Sequence, residues 1–92
     1  MKRFNWNNEK NKKLIKERGI SFEEIVICIE QGHMLDEIEH PNQEKYEGQR
    51  MFIVQVDKYA YLVPFVENVK EVFLKTIIPS RKATRLYIKE DH

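Results

Sequence analysis

The sequence predicts an α+β fold: two N-terminal helices, a four-stranded, mainly antiparallel sheet and a C-terminal helix. Three observations carry this. The apolar spacing is helical up to Gly32 and alternating after it. The alternating runs are joined by connections of only a few residues, which suit antiparallel neighbours. A Pro79-Ser80 pair then breaks the last run and offers a helix cap.

Taken in order, Asn7 to Arg18 reads as a polar helix with Leu14 and Ile15 as its apolar anchors. Asn7 or Asn8 can cap it, Glu9 suits its first turn, Lys16 and Arg18 its last, and Gly19 stops it. Ser21-Phe22-Glu23-Glu24 is a capping box that opens a second helix. Phe22, Ile25, Val26 and Ile29 make its apolar stripe until Gly32, so the two helices form a hairpin. Met34 to Glu39 is a short strand candidate, followed by a polar loop from His40 to Gly48. Arg50 to Val56 alternates, with Phe52, Val54 and Val56 on one side. Asp57-Lys58 is a two-residue turn, and Tyr59 to Val66 returns with Tyr61, Val63 and Phe65 on one side. Pro64 has no amide hydrogen and places that strand at an edge or at a bulge. After a turn at Glu67–Lys70, Glu71 to Ile78 forms the last strand, and Ser80 caps a helix running through Lys89. The helices are expected on one face of the sheet.

Length and composition suit one domain over residues 1–92. A chain of this size buries about 60–65% of its extended surface, so its stability margin is thin. Apolar residues make up 41% of the chain, with only three glycines and three prolines, which excludes disorder and collagen-like repeats. No apolar run approaches a membrane span, and Met1 to Trp6 has no apolar leader. Cys28 is the single cysteine and cannot form an internal disulfide, so a cytoplasmic location is expected. Flanked by Ile27 and Ile29, it reads as a packed thiol. His33, His40 and His92 are far apart, which excludes a zinc-binding spacing. No phosphate-binding glycine loop or nucleophile elbow is present.

Net charge is only +1, but it is unevenly placed. Residues 1–20 are basic, residues 21–49 acidic, residues 50–74 balanced and residues 75–92 basic again. Such a pattern either makes a positive face or is mixed away by the fold. The densest cluster runs from Phe73 to Tyr87 and contains Lys75, Arg81, Lys82 and Arg85. Arg81 and Lys82 oppose the dipole of the terminal helix at its first turn, a placement that an anion would favour. Spacing alone fits an ordinary solvated helix face, with Tyr87 packed on the sheet, at least as well.

Three blocks of the sequence resemble a known family. They are Phe4-Asn5-Trp6-Asn7 with Glu9-Lys10-Asn11, Leu14 and Arg18 to Glu24; Glu47-Gly48-Gln49-Arg50 with Val66-Glu67; and Lys75 to Arg85 with Tyr87. In order and spacing the chain resembles the BrnT toxins of type II toxin–antitoxin modules, within the RelE/ParE superfamily. It departs from their pattern at Lys75, where an arginine is usual, and at Pro79-Ser80-Arg81-Lys82, where Ser-Ala-Arg-Arg is usual. Lysine keeps the charge and loses the planar fork that grips a phosphate twice.

The resemblance implies a RelE-like sheet and a ribonuclease that needs no metal or cofactor. It also implies a ribbon-helix-helix antitoxin as partner, with operator DNA bound only through that complex. Cleavage by attack of the ribose 2′-hydroxyl needs a base, cations for the charge building on phosphorus, and an acid for the leaving oxygen. Matched to the family, Glu67 becomes the base, and Arg50, Lys75 and Arg81 become the phosphate-stabilising cations. Tyr87 becomes the acid or a stacking ring. The bland counterparts are Glu67 as a turn acid paired with Lys70, and Arg50 as a solvated strand end. Trp6 reads as a packing residue, His40 as a lone loop histidine, and Tyr59 and Tyr61 as sheet residues. The alternative function is a non-catalytic, degenerate toxin that binds its antitoxin and represses with it.

Overall fold

In the computed structural model, residues 2–88 are described. The element order is β1 (Arg3–Trp6), α1 (Asn8–Arg18), α2 (Phe22–Glu30), β2 (Met34–Glu39), β3 (Arg50–Val56), β4 (Tyr59–Glu67), β5 (Glu71–Leu74), β6 (Ile78–Pro79) and α3 (Arg81–Tyr87). Sheet neighbours run β1-β5-β4-β3-β2, with β6 also paired to β4. β1 pairs parallel to β5 and the other pairings are antiparallel.

The helix ends follow the capping chemistry of the sequence. Asn7 accepts a hydrogen bond from the Lys10 amide, and Ser21 accepts one from Glu24. Gly19 closes α1 at φ 67, a left-handed conformation that a side chain would resist. α1 has little apolar surface with which to dock. Leu14 is buried, but Ile15 is half exposed and is not the second anchor expected. That place is taken by Asn11, buried and held on both sides. Its Oδ1 accepts from the Phe22 amide at 2.8 Å, and its Nδ2 donates to Glu23 at 2.6 Å. One amide side chain thus ties α1 to the free N-terminal end of α2. Asn11→Ala is expected to lower stability by about 1–3 kcal/mol, because the buried Phe22 N–H loses its acceptor. A urea midpoint lowered without a change in slope checks this.

Both sides of the sheet are covered. Phe22, Ile25 and Cys28 from α2, with Leu14, pack on Phe52, Val54, Val63, Phe65, Val72 and Leu74. On the opposite side Ala83 of α3 packs with Ile53 and Ala60, joined by Leu35, Ile38 and Leu62. The helices therefore lie on two sides, not on one as expected. β3 explains why: Met51 to Val54 are all buried, so alternate residues serve two cores instead of one core and solvent.

The sheet also differs from the expected four strands. β1 comes from the segment preceding the first helix, where Phe4 and Trp6 alternate with Arg3 and Asn5 and pack on the α1/α2 side. Trp6 stacks on Phe22 at 5.7 Å, the packing role expected of it. The expected last strand, Glu71 to Ile78, is split into β5 and β6. Between them the chain leaves the sheet, and the Ile77 side chain is fully buried. The Arg18 guanidinium donates to the Ile77 carbonyl, fastening this excursion to the end of α1. Pro64 sits opposite the gap, in an interior strand and not at an edge. Its carbonyl accepts from the Lys75 amide, so the side of Pro64 that lacks a donor faces the place where no partner strand runs. α3 ends at Tyr87 with Ile88 extended, and Lys89 lies outside the described residues.

Candidate functional site

β2 decides which carboxylate meets which partner. Met34 pairs with Val54 and Asp36 with Ile53, so Leu35 is an extra, unpaired residue. This bulge turns Asp36 to the α3 side and Glu37 to the α1/α2 side. Asp36 accepts a 2.7 Å hydrogen bond from the Tyr87 hydroxyl. Glu37 accepts from Arg50 Nε at 2.9 Å.

The five residues singled out by sequence are therefore divided by the sheet. Arg50 and Glu67 lie on the α1/α2 side, in register with Phe65 and Val72 of that core. Each is paired: Arg50 with Glu37, and Glu67 with Lys2 at 2.8 Å. The Lys70 partner considered for Glu67 is not the one it takes. Lys75, Arg81 and Tyr87 lie on the other side. The Lys75 ammonium stands 5.6 Å over the ring of Phe73, which pairs with Val66. Arg81 opens α3, and Tyr87 is its last residue.

The α3 side has a consistent electrostatic character. Arg81, Lys82 and Arg85 lie within seven residues of helix that contain no acid. Among the described residues, none of these three nor Lys75 lies within ion-pair distance of a carboxylate. Ser80 caps the helix through the Ala83 amide, and Thr84 accepts from the Ala60 amide, so α3 is seated on β4 by side-chain oxygens. Beside it opens a cavity of about 260 Å³ floored by Ile38, Met51, Ile53 and Leu62. Lys82, Leu86 and Tyr87 form its helical wall.

The Asp36–Tyr87 bond links two titrations. The Tyr87 hydroxyl, and after it the Glu37 amide, holds the Asp36 carboxyl below the usual carboxylate range. The same bond pushes the Tyr87 phenol above the usual tyrosine value. The stabilisation it supplies is present between these limits. It is lost as pH falls through the lowered Asp36 pKa, and again as pH rises through the raised Tyr87 pKa. Asp36→Ala is expected to bring the Tyr87 phenol back down toward an ordinary tyrosine, read from the pH dependence of its ring resonances by NMR. Asp36 is a candidate that sequence reasoning missed; alternation counted from Met34 would have pointed it to the other side, because the bulge is not visible there.

Cys28 is buried, and burial, then Glu24 and Asp57, push its thiol up, which fits a packing role. A groove of about 710 Å³ lies between β1 and α2, with Phe4, Trp6, Val26 and Ile29 inside it and Lys2, Arg3 and Glu30 at its rim. β1 is the last strand in the sheet order, so its outer edge has no partner strand among the described residues. His40 accepts from the Asn42 amide and packs 4.2 Å from the Tyr46 ring, a local loop role. Among the described residues no group of histidines, cysteines and carboxylates has the geometry of a metal site, and no helix is long and apolar enough to cross a membrane. No family model matches the sequence, and neither a curated protein nor a solved structure matches it.

Proposed function

We propose that this protein is the toxin of a type II toxin–antitoxin pair, of the BrnT kind its sequence resembles, and that it acts on RNA through the α3 side of its sheet. The observation that carries this reading is the set of four cations, Lys75, Arg81, Lys82 and Arg85, unpaired with any described carboxylate and on the same side of the sheet as Tyr87. Exposed cations without acids are what a phosphate backbone requires. Two helices followed by a strand meander and a terminal helix also fit the fold that the resemblance implies.

In this reading Lys75 and Arg81 stabilise the charge building on phosphorus during 2′-hydroxyl attack. Tyr87 protonates the leaving oxygen after exchanging Asp36 for the substrate, and Asp36 is the carboxylate at hand to receive the hydroxyl proton. Glu67, implied as the base by the resemblance, lies across the sheet and is bound to Lys2. Inducing the protein without its antitoxin is expected to arrest growth and leave RNA fragments ending in cyclic phosphates. Unchanged growth and intact RNA, with soluble protein present, would remove this reading.

A second reading is favoured by the separation of Glu67 and Arg50 from Tyr87. It makes the protein a non-catalytic toxin remnant that works by binding a ribbon-helix-helix antitoxin and repressing with it. The groove between β1 and α2, apolar inside and bordered by an unpaired strand edge, suits such a partner. Tight capture of the antitoxin by a protein that never cleaves RNA is the result that selects it.

A further inference from the structure

The cavity beside α3 has a composition that the phosphate contacts do not use. Its floor is made by side chains of three adjacent strands, Ile38, Met51, Ile53 and Leu62, and Ala83 and Leu86 close it from the helix. The surface is apolar, and its volume of about 260 Å³ is enough for one flat ring system and too small for a folded segment of another protein. Among the described residues that line it one is charged, a lysine, and the carboxylate that Tyr87 holds is not part of the lining. Lys82 lines the cavity itself. Arg81 and Arg85 follow a quarter-turn around the same helix, one turn apart. Lys75 belongs to the transverse row that forms the floor: Ile38 pairs with Met51, Met51 with Pro64, and the Pro64 carbonyl accepts from the Lys75 amide. Two strand spacings, about 10 Å, separate Lys75 from Met51.

An occupant must therefore be apolar on its faces and joined to anions that reach cations on two sides. We propose that the cavity seats one unstacked base of single-stranded RNA, with the flanking phosphates on Lys82 and on Lys75. This rests on the reading that the α3 side contacts RNA, and it adds that recognition there includes a base and not the backbone alone. The floor accepts either ring face, because burial of apolar surface is non-directional. The lining is apolar apart from Ser80, Lys82 and Tyr87, and Ser80 is engaged by the Ala83 amide, so preference among bases follows ring size.

The test uses the full-length protein and two oligoribonucleotides of equal length with 2′-O-methyl groups, which block cleavage. One carries bases and the other is abasic. The base-bearing strand is expected to bind about 5- to 100-fold more tightly, with methyl resonances of Met51, Ile53, Leu62 and Ala83 shifting on titration. Leu86→Glu, at a residue 64% exposed, places a carboxylate at the cavity mouth. It is expected to abolish that preference without lowering Tm. Equal affinity for the two strands, with those methyls unmoved, overturns the base seat and leaves the phosphate contacts standing. Failure of both strands to bind overturns the RNA reading and the seat with it. Methyl shifts that appear on concentrating the protein alone, or only on adding the antitoxin, assign the cavity to a second copy or to the partner and likewise overturn the proposal.

Discussion

On the proposed ribonuclease reading, replacing Arg81 by alanine is expected to slow RNA cleavage by the purified protein by about 100- to 1,000-fold while leaving the fold intact. The magnitude is that of losing one well-aimed donor to a charge that develops only in the transition state. The side chain is exposed, opens α3 and has no acid partner among the described residues, so no native contact offsets its removal. Basic residues in a first helical turn cost a few tenths of a kcal/mol, so thermal stability should rise slightly. A variant that is more stable and less active separates a functional cation from a structural one. Glu67→Ala is the matched control. Its exposed pair with Lys2 contributes at most about 1 kcal/mol, and cleavage should change little. The reverse result, with Arg81→Ala fully active and Glu67→Ala dead, would move the site to the α1/α2 side.

The largest expected loss of stability comes from Phe65→Ala. Phe65 is 1% exposed and stacks on Phe52 with ring centroids 3.9 Å apart. It also occupies the middle of the sheet, in register with Arg50 on one side and Leu74 on the other. Truncation removes the burial and leaves a cavity, at a combined cost of about 3–5 kcal/mol. A chain of this length has about 5–14 kcal/mol in total. The variant is therefore expected to unfold well below the parent temperature in calorimetry and to accumulate poorly in cells.

Much of this architecture was legible in the sequence because local chemistry determined it. The caps at Asn7, Gly19, Ser21 and Ser80 appear where their side chains and dihedral freedom place them. β3 spans Arg50–Val56 as its alternation requires, and β4 runs one residue further than expected. What was not legible depends on contacts distant in sequence. β1 becomes a strand because β5 offers a parallel edge, and four residues carry too little pattern to announce that. The two-sided core is written in the consecutive buried residues of β3, which can equally be read as one thick strand face. The break between β5 and β6 follows from burial of Ile77 and its tie to Arg18, which no local signal marks.

The candidate site shows the same division. The basic run from Lys75 to Arg85 is visible as composition, and the structure keeps it on one side of the sheet. Joining Arg50 and Glu67 to it needed the pleat phase of three strands at once, and parity places them elsewhere. Asp36 was unreadable for a related reason: one unpaired residue upstream reverses the direction of every side chain after it.

That unpaired residue bears on how the chain can vary in length. Pairing from Asp36–Ile53 through Glu39–Arg50 is already regular, and so is Met34–Val54 before it. Leu35 is the surplus between two matched stretches, on a strand at the margin of the sheet. A chain lacking it can close the ladder with Asp36 still toward Tyr87 and Glu37 still toward Arg50, giving up one apolar contact and a local bend. Related sequences that are one residue shorter here would keep both pairs. Among the positions of this strand, Leu35 is the place where length is free to drift and the paired carboxylates are not.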